Sequence, residues 1–166
     1  TGWTAVIPVG GSAGVQSTAG AGGITPLFGT YMAQLKTDGA GSYTTLSQSI
    51  LLGSGATASG NVNWYDAELA GSQSAVYNDN VAVQIYNSAS ALMATPFYDQ
   101  HSGNTTIVNG WAPWSYTASV ADTYTVVYKI TNIGDSTVDS YAYFDGVNVP
   151  EPGTLAFLGF GLAGLG

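Results

Sequence analysis

The residues able to do chemistry are few. The single histidine, His101, lies in Tyr98-Asp99-Gln100-His101-Ser102-Gly103-Asn104. By composition this run is a solvated polar loop, and it offers no second titrating partner of the kind a general base requires. Gly10-Gly11-Ser12-Ala13-Gly14 spells the G-x-S-x-G nucleophile elbow, but that device needs a helix after the serine. A glycine-rich stretch follows Ser12 instead. Asp66 and Glu68 stand two apart and would share a strand face, the minimal pair for glycoside hydrolysis, as would any decorative acidic pair. Gly159, Gly161 and Gly164 repeat the dinucleotide-binding spacing, yet no strand–helix–strand unit surrounds them. No catalytic set emerges, and a non-enzyme is expected.

Two binding chemistries remain. Asp79, Asp135 and Asp139 stand in Asn/Gly/Ser-rich turns and could offer oxygen ligands to a structural calcium ion. The same residue types also favour turns by bonding their own backbone. No other cofactor is expected. Trp111 and Trp114, in Trp111-Ala112-Pro113-Trp114, stand at a loop or strand start. There they are expected to be exposed as a stacking surface for a glycan or a contact for another subunit. Trp64, on an alternating stretch, is expected in the core.

Strands must position these residues. Short segments rich in Val, Ile, Thr, Tyr and Trp occur at 3–9, 29–37, 44–52, 59–65, 80–87, 115–120, 124–131 and 140–149. Most alternate apolar with small or polar residues, the period of a strand buried on one face. Turn-forming runs at 10–23, 38–42, 53–58, 71–78 and 102–110 separate them. About eight strands in a domain spanning 1–149 predict an all-β fold, an antiparallel β-sandwich or jelly roll.

Composition narrows the partners. Lys and Arg total 2 against 10 Asp and Glu, giving a net charge of −8. A nucleic-acid binder needs a basic patch that two lysines cannot make. Charged residues are only 7% of the chain, but 45% of residues are hydrophobic and 12% aromatic, which excludes disorder. Cysteine is absent, and thiol catalysis and disulfide scaffolds go with it. No basic, apolar leader precedes Thr1, so a mature, exported chain is expected.

A second unit, 150–166, differs sharply in composition. Pro150-Glu151-Pro152-Gly153 interrupts the last strand pattern, since proline cannot continue a ladder. The uncharged run 154–166 follows. It reads as a short apolar helix, about 20 Å long at 1.5 Å per residue and too short to cross a bilayer alone. Leu155, Phe157, Leu158, Gly159, Phe160, Leu162 and Ala163 are its expected packing residues, with Gly159 and Ala163 forming a small-xxx-small pair.

Val149-Pro150-Glu151-Pro152-Gly153-Thr154-Leu155 and the run after it resemble the PEP-CTERM sorting signal. The resemblance implies a bacterial protein exported to the cell surface or extracellular matrix. It also implies that Pro150, Glu151 and Pro152 are read by an exosortase while the tail meets the membrane transiently. The basic cluster that usually closes such tags is absent here. Gly29-Thr30-Tyr31-Met32-Ala33, the 124–149 region and Phe144-Asp145-Gly146-Val147 are similar to the jelly-roll, carbohydrate-binding-module-like ectodomains of that family. The leading expectation is a self-assembling homo-oligomer or homopolymer, a filament or sheath of the surface or biofilm matrix. The alternative is a module that attaches to exopolysaccharide.

Overall fold

The computed structural model describes residues 2–37, 39–66, 79–101, 107–108, 110–134 and 139–149. Eleven strands occur among them: β1 (Trp3–Val6), β2 (Ser12–Gln16), β3 (Met32–Thr37), β4 (Tyr43–Leu52), β5 (Thr57–Asp66), β6 (Asn80–Tyr86), β7 (Leu92–Gln100), β8 (Ile107–Val108), β9 (Ala112–Thr117), β10 (Asp122–Thr131) and β11 (Ser140–Asn148). The one helical element among them is a 3-10 turn, Ala21–Gly23. The apolar helix expected in the tail lies outside the described residues.

Every pairing is antiparallel, and the strands form two sheets. One runs β1-β4-β10-β6-β7; the other runs β2-β3-β11-β5, with β8 and β9 both beside β5. The all-β sandwich expected from the alternation is the observed fold. Three elements depart from the expected strand map. β2 lies inside the run expected to be a glycine-rich loop, and β8 inside the 102–110 turn. β7 covers 92–100, where no strand was expected and where 98–100 belong to the run expected to be a polar loop. Pro96 argues against a strand in that segment, but β7 is an outer strand of its sheet, where proline is tolerated.

The core forms where the inward-facing residues of both sheets meet. β10 contributes Tyr124, Val126, Tyr128 and Ile130, each no more than 2% exposed. The Tyr128 ring stacks on Phe144 of β11 at 4.0 Å between centroids and on Trp3 of β1 at 5.5 Å. Trp114 of β9 meets it edge-on at 6.0 Å. Trp114 lies over Gly60 of β5, where a Cβ would come within 2.8 Å of the indole nitrogen. Glycine is needed there because any side chain would occupy the space of the ring.

Tyr128 carries a buried hydroxyl, and neither it nor the Trp114 indole N–H beside it makes a hydrogen bond of good geometry. Burial pushes the Tyr128 phenol far above its ordinary pKa of 10.0, and the nearby Trp114 N–H offsets only part of this. Burial likewise raises Tyr143 and Tyr141. A phenol whose folded pKa exceeds its unfolded one stabilises the fold fully below about pH 10. That stability is lost as pH rises through the folded value.

Two outcomes follow. Gly60→Ala should destabilise the protein by roughly 1–3 kcal/mol through overpacking against Trp114, read from urea unfolding. The urea midpoint should fall as pH climbs above about 10, and Tyr128→Phe should make that fall shallower; an unchanged slope would remove Tyr128 from the explanation.

Candidate functional site

The two sheets present very different outer faces. On the five-stranded sheet, strand alternation turns Tyr43 of β4, Lys129 of β10, Gln84 and Tyr86 of β6, and Tyr98 and Gln100 of β7 away from the core. Tyr43 is 48% exposed and Tyr98 56%. The registers Lys129↔Ala82 and Ala82↔Tyr98 place small Ala82 between the lysine and the tyrosine. Tyr43 and Tyr98 stand on strands three spacings apart, about 14 Å at the usual inter-strand distance.

Local contacts orient these side chains. Lys129 Nζ lies 4.6 Å from the centre of the Tyr43 ring, a cation–π pair. The Tyr98 hydroxyl donates to Gln100 Oε1 at 2.7 Å, and the Tyr86 hydroxyl to Gln84 Oε1 at 3.2 Å. Ser49 and Thr125 hydroxyls meet at 3.2 Å on the same face. Among the described residues of these five strands, no carboxylate alternates onto it. Among the described residues this leaves a face of rings, amides, hydroxyls and one lysine, with exposed Leu51 further along β4.

The six-stranded sheet's outer face is occupied by the chain itself. Ile24, Met32 and Tyr143 form a small buried cluster there, with Tyr65, Trp111 and Tyr141 packed around it. Gly20 lies so close to the Tyr143 ring that no side chain would fit between them. Gln34 Nε2 donates to the Tyr143 hydroxyl at 3.0 Å. Asp145 accepts the backbone N–H groups of Leu27 and Phe28 at 2.8 and 2.9 Å, fastening the segment before β3 across the sheet.

The residues singled out from the sequence fall in several places. Trp114 is not an exposed contact: it is 2% exposed, because β9 starts at Ala112 and its alternation turns Trp114 inward. Trp111 is half-buried and donates its indole N–H to the Thr25 carbonyl at 3.2 Å. The expected tryptophan stacking surface therefore does not form. Ser12 stands in β2, with no helix after it. His101 is not solvated. It is 8% exposed, and its Nδ1 lies 2.6 Å from Asp66 Oδ2 in a buried pair. Glu68 lies outside the described residues.

Asp79 is buried, accepting the Ile133 N–H at 2.8 Å and a short hydrogen bond from the Ser140 hydroxyl. Asp139 pairs with Lys36 at 2.7 Å, and Asp135 lies outside the described residues. Among the described residues, no three His, Cys, Asp or Glu side chains gather in a group that could hold a metal ion. Asp99, half-buried, accepts the Trp64 indole N–H at 2.8 Å, while Asp66, Asp79 and His101 are buried and hydrogen-bonded. Pro150, Glu151, Pro152 and the tail residues Leu155 through Ala163 lie outside the described residues.

Comparison with known proteins supports two statements. Residues 148–166 match the PEP-CTERM protein-sorting motif. The chain thus carries a PEP-CTERM sorting motif at its C-terminal end, which marks a protein exported and sorted to the bacterial cell surface or extracellular space, and the motif implies processing by an exosortase. No curated protein matches the chain in sequence. Among solved structures, TmCBM61 in complex with β-1,4-galactotriose is similar at 11% identity, covering 90% of this chain and 88% of that one with a TM-score of 0.52. A xylan-binding domain from CBM 22 (13% identity, 89% and 86% covered) has a TM-score of 0.44. The CBM22-1 xylan-binding domain of Paenibacillus barcinonensis Xyn10C (12%, 88% and 83%) has one of 0.41. At such identities the likeness to TmCBM61 is one of fold, the β-sandwich of a carbohydrate-binding module.

The buried polar end gives a stability prediction. Asp66→Ala leaves His101 Nδ1 buried without its carboxylate and should cost about 1–3 kcal/mol. Lys36→Ala opens a half-exposed ion pair and should cost less than about 1 kcal/mol. Chemical denaturation of both variants checks the order.

Proposed function

We propose that this exported chain is a non-enzymatic glycan-binding module that attaches to surface or extracellular polysaccharide through the outer face of its five-stranded sheet. The observation that carries the reading is the face bearing Tyr43, Tyr86 and Tyr98 with Gln84, Gln100 and Lys129 among them, which no described segment covers and onto which no described strand carboxylate alternates. Aromatic rings offer flat apolar surface to the C–H faces of sugars. Amide and hydroxyl groups supply both donors and acceptors for sugar hydroxyls. Jelly-roll sandwiches are an established lectin scaffold.

Two further points support the same reading. The sandwich's other outer face is filled by the chain's own segment before β3. The sole histidine is buried and paired with Asp66, so it does not face a ligand on the tyrosine-bearing sheet. TmCBM61, whose fold the chain shares, was solved with β-1,4-galactotriose, so β-1,4-linked oligosaccharides are the natural first probes. The self-assembling filament or sheath expected from the tail finds no support among the described residues or the related structures.

Binding should be read by affinity electrophoresis and calorimetry against β-1,4-linked galacto- and xylo-oligosaccharides and the producing bacterium's own extracellular polysaccharide. Tyr98→Ala and Tyr43→Ala should each weaken binding by up to roughly tenfold, the upper end of an aromatic contact of about 0.5–1.5 kcal/mol. Trp111→Ala should leave affinity unchanged. Equal losses at Trp111 and Tyr98, or no binding to any probe, would reject the assignment.

A further inference from the structure

Away from the glycan face, the sandwich is open along one side. The first strands of the two sheets, β1 and β2, are both outer strands, and a cleft of about 780 Å3 runs between them into the core. Trp3 and Leu46 line one wall, Val15 and Ala33 the other, and Tyr128 and Phe144 form the floor. This volume falls within the range of sites that enclose a ligand. The one acid of its lining, Asp145, already accepts the Leu27 and Phe28 N–H groups. The rim is apolar and wet: Val15 is 73% and Tyr31 63% exposed. Exposed apolar surface of this kind marks a place where something binds.

The cleft also holds the point from which the rest of the chain departs. Val147 and Val149 line it, and Val149 is followed directly by Pro150-Glu151-Pro152-Gly153 and the uncharged run 154–166. In water the Leu and Phe side chains of that run need cover. At about 3.3 Å per extended residue, a few residues beyond Val149 reach any part of the cleft.

We propose that the cleft between β1 and β2 is the docking groove for the chain's own apolar tail, 154–166. The sandwich holds its sorting tail against its open side in water, and the groove gives it up when the tail is taken by a membrane. One sequence then supplies both the apolar segment and the surface that shields it.

The chain contains no cysteine, so an engineered pair reports without competition. In the full chain, Val15→Cys is combined in turn with Leu155→Cys, Leu158→Cys and Leu162→Cys and oxidised mildly in dilute solution. Intact mass then separates intramolecular from intermolecular disulfides. At least one pair should close within the chain at least tenfold faster than the same tail cysteine closes with Val120→Cys, which is 58% exposed but does not line the cleft. Capture at equal rates, or no capture, would overturn the proposal. Disulfides only between chains would also overturn it and assign the groove to the tail of a second copy. Val15 is largely exposed, but should its variant misfold, Tyr31→Cys on the same rim replaces it.

Discussion

The stack of Trp3, Tyr128 and Phe144 is the contact on which the rest of the structure depends. Tyr128 sits on β10, the middle strand of one sheet, and Phe144 on β11, the middle of the five-strand path β2-β3-β11-β5-β8. Their rings overlap at 4.0 Å and 15°, which joins the sheets at their centres. Packed sheets stand about 10 Å apart, and large rings fill that layer with few rotatable bonds. Trp114 closes the stack from the side, and the glycine at position 60 is what admits it. Along the β1 and β2 side, among the described residues, small Ala5, Ala13 and Gly14 line the layer beyond Trp3, and the sandwich is open there.

Fixing the inward residues also fixes the outward ones. Once Tyr124, Val126, Tyr128 and Ile130 face the core, Thr125, Val127, Lys129 and Thr131 must face out. The same parity on β4, β6 and β7 brings Tyr43, Tyr86 and Tyr98 to one surface. Asp145 and the Gly20–Tyr143 contact hold a segment over the opposite face, which becomes a second small core, while no described segment covers the tyrosine-bearing one. Low charge suits this division of labour. The proposed partners, sugars, are neutral and hydroxyl-rich, and binding them does not need the chain's two lysines to attract a polyanion.

Much of this was legible in the residues. Strong alternation in 44–52, 59–65, 124–131 and 140–149 marked central strands, and the break at Pro150-Glu151-Pro152 marked the sorting tag. The weaker outer strands were not legible. β2 is Ser-Ala-Gly-Val-Gln, with little apolar period, and β7 contains Pro96; pairing partners far along the chain decide both. Missing β7 hid Tyr98 and Gln100 in an expected loop and left His101 looking solvated. Trp111 and Trp114 misled for a related reason. A strand starting three residues earlier than expected reverses nothing in composition but settles which rings turn inward. The signal that could have found Tyr98 was the alternation Phe97-Tyr98-Asp99-Gln100, inward and outward by turns, once proline was allowed at a sheet edge.

The most direct test of the account maps where a sugar touches. Backbone and side-chain NMR signals of the full chain would be followed during titration with β-1,4-linked galacto- and xylo-oligosaccharides. The account predicts perturbations concentrated at Tyr43, Gln84, Tyr86, Tyr98, Gln100 and Lys129, with little change at Trp111 or in the segment before β3. Perturbations centred on Trp111 or on the ends of the sandwich, with the tyrosine face unmoved, would contradict it.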